Sequence, residues 1–343
     1  MLSYDALSII WFALWALLWT VYFTLDGYTL GVGILFPFLR RTEQEEKQLQ
    51  ETVGPFWNGN EVWLITAGGA TFAAFPLVYA EMFSTLYVPL FLILFGLFFR
   101  ATGLEFMHKE NWGFWRWSWT WAFFGGSLAV AFLFGVAFAN MFYGLSFDQN
   151  GNHTSLASLL NGYGILGGLS FVAFAVLSGA LWTAHKVSGP LAARARRVAS
   201  VAWFVALGLY GLFMAATANQ TTILKNYNAS PVLYVVPALA LIALLFVQWF
   251  ERRGRELRAF LMASATIALT MATGFIGMFP RMLISRLDPA ASITLYEARS
   301  SELTLSVMFF VAAVFVPIVI GYQLWAYRKF RAKITPEDAK GYH

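Results

Sequence analysis

Long apolar stretches separated by short polar connections dominate the chain. Nine such segments can be drawn, over residues 6–36, 59–80, 82–99, 119–142, 163–184, 200–219, 231–250, 258–280 and 303–327. A helix needs about 20 apolar residues to cross a hydrocarbon core of roughly 30 Å, so each segment is predicted to span a membrane as an α-helix. The fold class expected is an all-α membrane protein with nine transmembrane helices in one integral-membrane domain, 1–343. Eight of the nine suit two four-helix bundles, leaving one extra helix. Two divisions are weakly marked. Only Pro76 to Glu81 separates the second and third segments, and the first is too long for one upright helix. Asp26-Gly27 inside that first segment is turn chemistry, so a helix break there is one reading. Among the connections, Thr42 to Thr52 reads as a short polar surface helix. Thr335-Pro336-Glu337-Asp338 reads as a helix start, with a capping residue, proline and acids in sequence.

Composition agrees with the pattern. Of 343 residues, 59% are hydrophobic and only 12% charged, about half the charged share of an ordinary soluble domain. The net charge of +5 does not point to nucleic acid, because the basic residues sit in short clusters between apolar segments. Nineteen of the 23 fall on one side. These are Arg40, Arg41 and Lys47; Arg100, Lys109 and Arg116; Lys186, Arg194, Arg196 and Arg197; Arg252, Arg253, Arg255 and Arg258; and Arg328, Lys329, Arg331, Lys333 and Lys340. Lys225, Arg281, Arg286 and Arg299 fall on the other. The positive-inside rule then places the N-terminus outside and the C-terminus in the cytoplasm. The first segment lacks the basic n-region of a cleavable leader and is expected to be retained.

With no cysteine, the chain has no thiolate to offer a metal or an iron–sulfur cluster. Its four histidines, His108, His153, His185 and His343, lie in connections, at a span end or in the tail. A haem within a bilayer usually takes an imidazole, so no haem ligand and no metal site is expected here. The ten methionines are expected as packing. Carboxylates are the remaining chemistry. Asp26 lies within the first span, toward its cytoplasmic half, where an ionised acid needs a partner or a proton. Asn58 and Glu61, at i and i+3 in Trp57-Asn58-Gly59-Asn60-Glu61, share a helix face near the inner surface. Arg100 and Glu105 end the third span and are expected as an ion pair, a proton inlet or plain flanking charges. The glycine fingerprint Gly162 to Gly167 follows no strand and opens a span, so a dinucleotide site is excluded. Gly27 to Gly31 and Gly164 to Gly168 match the small-residue helix contact and mean close packing.

Several blocks together resemble subunit II of the cytochrome bd-type quinol oxidases. They are Asp26-Gly27-Tyr28-Thr29-Leu30-Gly31-Val32-Gly33; Trp57-Asn58-Gly59-Asn60-Glu61-Val62-Trp63-Leu64; Gly68-Gly69-Ala70 with Phe72-Ala73-Ala74-Phe75-Pro76; Phe99-Arg100; and Ser300-Ser301-Glu302-Leu303-Thr304-Leu305. The resemblance implies a bacterial cytoplasmic-membrane complex that oxidises quinol and reduces dioxygen to water. It implies a heterodimer with subunit I, which holds two b-type haems and one d-type haem. This chain then binds no cofactor, stabilises subunit I and helps conduct cytoplasmic protons, with lipid, quinone and a small single-helix subunit as further partners. The proton-path positions carried over are Asp26, Asn58 and Glu105. Asn58 stands where many relatives have Asp and cannot release a proton, so Glu61, one turn on, is the acid that could take its place. The other reading of the residues is a free-standing proton-coupled secondary transporter, with Asp26 and Glu61 as coupling sites.

Overall fold

The computed structural model describes residues 3–110, 112–337 and 339–341. In chain order the helices are α1 (Tyr4–Leu39), α2 (Glu43–Val53), α3 (Trp57–Ala74), α4 (Pro76–Thr85), α5 (Tyr87–Phe106), α6 (Gly113–Tyr143), α7 (Leu156–Leu159), α8 (Gly162–Lys186), α9 (Pro190–Gln220), α10 (Leu224–Ala229), α11 (Val235–Glu251), α12 (Glu256–Met278), α13 (Leu295–Ala298) and α14 (Glu302–Lys329). Two short hairpins complete it: β1 (Phe147–Asp148) with β2 (Gly151–Asn152), and β3 (Arg281–Leu283) with β4 (Ile293–Thr294). Among the described residues, eight helices are long and apolar enough to cross a membrane.

Three sequence expectations change. The 59–80 segment is not one helix: it ends at Ala74, and Pro76 opens α4. Proline has no N–H to continue the ladder and pushes the preceding residue out of the α region; Phe75 takes φ −136°. The Asp26-Gly27 break does not form, because α1 runs unbroken for 36 residues, about 54 Å at 1.5 Å per residue. Its flanking packing keeps it helical through a dipeptide that prefers turns. Thr335 to Glu337 opens no helix; Pro336 and Glu337 form a turn, and Asp338 lies outside the described residues.

Helices α1, α3, α5 and α6 form one group and α8, α9, α11 and α12 a second, with α1 and α6 packed against α8 at the junction. Small residues set those distances. A Cβ on Gly31 would overlap the Ala175 carbonyl, and one on Gly179 would strike the Gly31 backbone, so α1 and α8 touch main chain to main chain. The Gly164–Gly168 pair instead makes room for side chains of α6, since a Cβ there would strike Asn140 at Gly164 and Phe132 and Val136 at Gly168.

Helix α14 stands apart. Only Leu305 along it is buried. Near one end Trp11 Nε1 donates to the Leu305 carbonyl at 3.0 Å. At the other, Tyr327 stacks on Phe56 and its hydroxyl meets that of Tyr28 at 2.9 Å.

The polar helix α2 is more than a surface helix. Thr42 caps it, and Glu46, Gln48, Gln50 and Thr52 are buried. Glu46 meets Arg40, Arg116 and His108. Gln44 and Gln48 donate to main-chain carbonyls of the C-terminal tail at Pro336, Ala339 and Ile334. The amides of Lys340 and Gly341 return the favour, donating to Glu51 at 2.7 and 2.9 Å. The tail thus lies back across the helix that follows the first span.

Candidate functional site

The third apolar segment is α5, which carries Gly96, Arg100 and Gly103 toward its C-terminal end. These glycines let α5 press onto α6: a Cβ at Gly96 would meet Val130 at 2.8 Å, and one at Gly103 the Phe123 amide nitrogen at 2.8 Å. From the α6 side, a Cβ on Gly126 would strike the backbone nitrogen of Arg100 at 2.7 Å. Arg100 therefore starts within the close α5–α6 contact, and its side chain reaches Asp26 on α1. A charge there requires compensation.

Asp26 supplies it. Arg100 Nη1 donates to Asp26 Oδ2 and Nη2 to Asp26 Oδ1, both at 2.7 Å, the paired geometry that suits a planar guanidinium. Nη2 also donates to Thr29 Oγ1 at 2.7 Å. Thr29, one turn beyond Asp26, donates in turn to the Asp26 carboxylate and lies 2.9 Å from its carbonyl. The fourth member is Glu61 of α3, which accepts from Arg100 Nη1 at 3.0 Å. Side-chain exposure separates the three charges: Asp26 is 0% exposed, Arg100 2% and Glu61 19%. Glu61 lies about 6 Å along α3 from Trp57, and Arg100 about 9 Å from the end of α5, at 1.5 Å per residue. The cluster thus lies one to two turns in from the basic side. Two carboxylates share one guanidinium, so the cluster is neutral only when it holds one proton.

Beside it runs a neutral chain of hydrogen bonds. Asn60, fully buried, donates to the Leu25 carbonyl at 2.9 Å and accepts from Gln323 Nε2 at 3.0 Å. Gln323 accepts from Trp63 Nε1 at 2.7 Å. These bonds tie α1, α3 and α14 together just beside the charges.

The sequence expectations fare unevenly. Asp26 and Glu61 are brought together, and the missing cation is Arg100. Arg100 is not a flanking charge or a partner of Glu105; it is fully enclosed and paired with Asp26 and Glu61. Its place near a span end concealed this, because only the glycine contact with α6 turns the side chain inward. Asn58 is exposed and Glu105 half-buried, and among the described residues neither makes a side-chain hydrogen bond or an ion pair. It is Asn60, not Asn58, that enters the polar network. Thr29 and Gln323 went unread in the sequence. Thr29 stands one turn from Asp26, and Gln323 is the one amide in an otherwise apolar run, which are the signals that were available. His108 follows α5, His153 lies in the β1–β2 region and His185 is next to last in α8; His343 lies outside the described residues. Among the described residues, no group of three His, Cys, Asp or Glu side chains is arranged to hold a metal ion.

Known proteins resemble the chain over nearly its whole length. The family described as cytochrome bd terminal oxidase subunit II matches residues 7–330. Cytochrome bd-I ubiquinol oxidase subunit 2 of Escherichia coli (strain K12) is 36% identical, covering 98% of each chain. Cytochrome bd ubiquinol oxidase subunit 2 of Bacillus subtilis (strain 168) is 35% identical, covering 97% of this chain and 98% of its own. Among solved structures, a chain of the bd oxidase from Geobacillus thermodenitrificans superposes with a TM-score of 0.78 over 94% of this chain and 98% of that one. Its identity is 15%, so that likeness speaks for the fold alone.

Proposed function

Because the chain belongs to the cytochrome bd oxidase subunit II family, and so to a quinol-oxidising membrane complex, we propose that it is the haem-free subunit that carries protons toward the oxygen-reducing site and steadies the haem-bearing subunit I. The observation that carries this is the buried Asp26–Arg100–Glu61 cluster with a single acid at its edge. Asp26, held by both guanidinium nitrogens and by Thr29, is the fixed counter-charge. Glu61 makes one bond to Arg100 and is the only member reaching the surface, which suits it to gain and lose the proton. Glu105, half-buried in the last turn of α5, gathers protons from the cytoplasmic side, and Asn58 orients water near Glu61.

The partner's seat follows from what α3 and α5 leave bare. Val62, Ile65 and Phe72 of α3 and Phe91, Leu94 and Phe98 of α5 are exposed. Gly59 and Gly69 on α3 have open space where a Cβ would stand. Small residues on an uncovered face admit a neighbouring helix closely. A partner seated there covers Glu61 and receives its proton.

In this reading α3, short and polar at its start, is the ninth span, with the N-terminus outside and the C-terminus in the bacterial cytoplasm. The donors of this chain do not suit haem iron, since its described histidines stand outside the membrane interior or at a span end. The two b-type haems and the d-type haem are accordingly assigned to subunit I. The full-length match to oxidase subunits leaves the free-standing transporter reading without support.

The test is quinol-driven oxygen consumption by the purified complex. Glu61→Gln is expected to lower turnover by about tenfold or more while the haem absorbance is unchanged. Asn58→Ala is expected to have a much smaller effect. Full turnover in Glu61→Gln removes Glu61 from the proton path.

A further inference from the structure

We propose that the outward groove between α8 and α9 binds one anionic glycerophospholipid, with its phosphate on Arg197. That this is the cytoplasmic leaflet rests on the orientation proposed above; the binding itself does not. The groove has a volume of about 620 Å3. Its walls are Leu169, Val172 and Val176 of α8 and Val201, Val205 and Leu209 of α9. Ala173 and Ala202 form its floor and are buried, so small side chains between the helices give it its depth. Arg197 is the one charged residue lining it, at the basic end.

The three arginines opening α9 are not equivalent. Arg194 donates to the Leu39 carbonyl and pairs with Glu45 at 2.6 Å. Arg196 pairs with Glu256 at 3.0 Å. Arg197 is exposed and, among the described residues, makes neither an ion pair nor a side-chain hydrogen bond. The neighbouring acids are already engaged, Glu256 by Arg196 and Glu251 by Ser200. An unpaired cation beside an apolar trough at a membrane boundary is complementary to a phosphate carrying acyl chains.

Length supports that occupant. From Arg197 to Leu209 the groove follows α9 for about 18 Å, at 1.5 Å per residue. Half of a hydrocarbon core is about 15 Å, so a chain anchored at Arg197 reaches the midplane. A helix of another protein laid in the groove would instead cover Arg197 and leave it without a counter-charge unless it brought an acid. A zwitterionic headgroup offers the same phosphate but brings its own cation to it, so it answers the guanidinium more weakly than a headgroup of net negative charge.

Native mass spectrometry of the purified, delipidated complex, titrated with phosphatidylglycerol or phosphatidylcholine, tests this. The wild type is expected to retain one more phosphatidylglycerol than phosphatidylcholine. Arg197→Gln is expected to lose that lipid, binding it about fivefold to tenfold more weakly. Arg196→Gln, the same change of charge one residue earlier, is expected to keep the wild-type count. Ala202→Phe fills the floor and is expected to lose the lipid although Arg197 remains. Equal phosphatidylglycerol counts in wild type and Arg197→Gln overturn the proposal, as does equal loss in Arg196→Gln. Departure of a small polypeptide rather than a lipid from Ala202→Phe overturns it in favour of a protein occupant. Absence of a haem-bearing partner from the same spectra would instead count against the proposed function, so the two failures are distinguishable.

Discussion

The two helix groups differ in what fills their middles. In the first, a guanidinium from α5 binds carboxylates from α1 and α3. In the second, no charged side chain stands deeper than Arg197, the eighth residue of α9, none pairs with another in the middle of the group, and the buried polar groups are mostly hydroxyls. Ser170, Thr266 and Thr273 donate to carbonyls one turn back in their own helices, at 2.7, 2.9 and 2.8 Å. Tyr163 and Thr217 pair with each other at 2.7 Å. A hydroxyl can satisfy itself on its own helix and places few demands on its neighbours. A charge in a membrane cannot, so it fixes three helices relative to one another and brings a protonation state with it. The two groups are alike in architecture and unlike in chemistry.

The comparison can be broken most sharply at its centre. Arg100→Leu leaves two enclosed carboxylates without a counter-charge and is expected to cost about 3–5 kcal/mol, seen as loss of assembled complex or a large fall in its melting temperature. Arg100→Lys is expected to restore only part of this, since an ammonium cannot span both Asp26 oxygens and Thr29. A smaller effect separates the two acids. In a double-mutant cycle, Asp26→Asn and Glu61→Gln are expected to couple by about 0.5–3 kcal/mol in thermal stability, because both lean on one guanidinium. Strict additivity would mean that they act independently.

On the other side of the comparison, Tyr163→Phe removes the bond to Thr217. It is expected to cost about 1 kcal/mol in stability and to leave oxygen consumption unchanged. A drop in turnover there would erase the distinction between the groups. The smallest expected effect lies outside both, on α2. Burial pulls the Glu45 carboxyl upward, but its bonds to Arg194, to the Arg41 amide and at Thr42 outweigh that and hold it below its ordinary value. A carboxylate lowered on folding adds stability that is full above its unfolded value, about pH 4.3, and is lost as pH falls through the folded value. The melting temperature of the wild type is therefore expected to fall slightly more steeply below about pH 4.3 than that of Glu45→Gln.

What the sequence revealed and what it hid divide along the same physical line. Apolar length is a local property, and it marked the long helices to within a few residues at most ends. Asp26 was conspicuous because a carboxylate stands out in an apolar run. The fate of Arg100 was hidden, since whether a cation near a span end faces water or the interior depends on the partner helix. Gly96, Gly103 and Gly126 decide it together, and their alignment exists only once α5 and α6 pack. The same limit separates Asn58 from Asn60, two residues apart on α3, one facing outward and the other held by Leu25 and Gln323. The break at Pro76 was legible in principle, whereas the continuity of α1 through Asp26-Gly27 was not, because tertiary contacts override a turn preference there.

The tail that lies across α2 carries a consequence for biogenesis. The side chains of Gln44, Gln48 and Glu51 emerge early in synthesis, but the main-chain groups they hold lie 286 to 295 residues later, after every long helix. That clasp cannot close on a nascent or truncated polypeptide. A tag or deletion placed after Lys329 therefore acts on the connection that follows α1 as much as on the segment it alters.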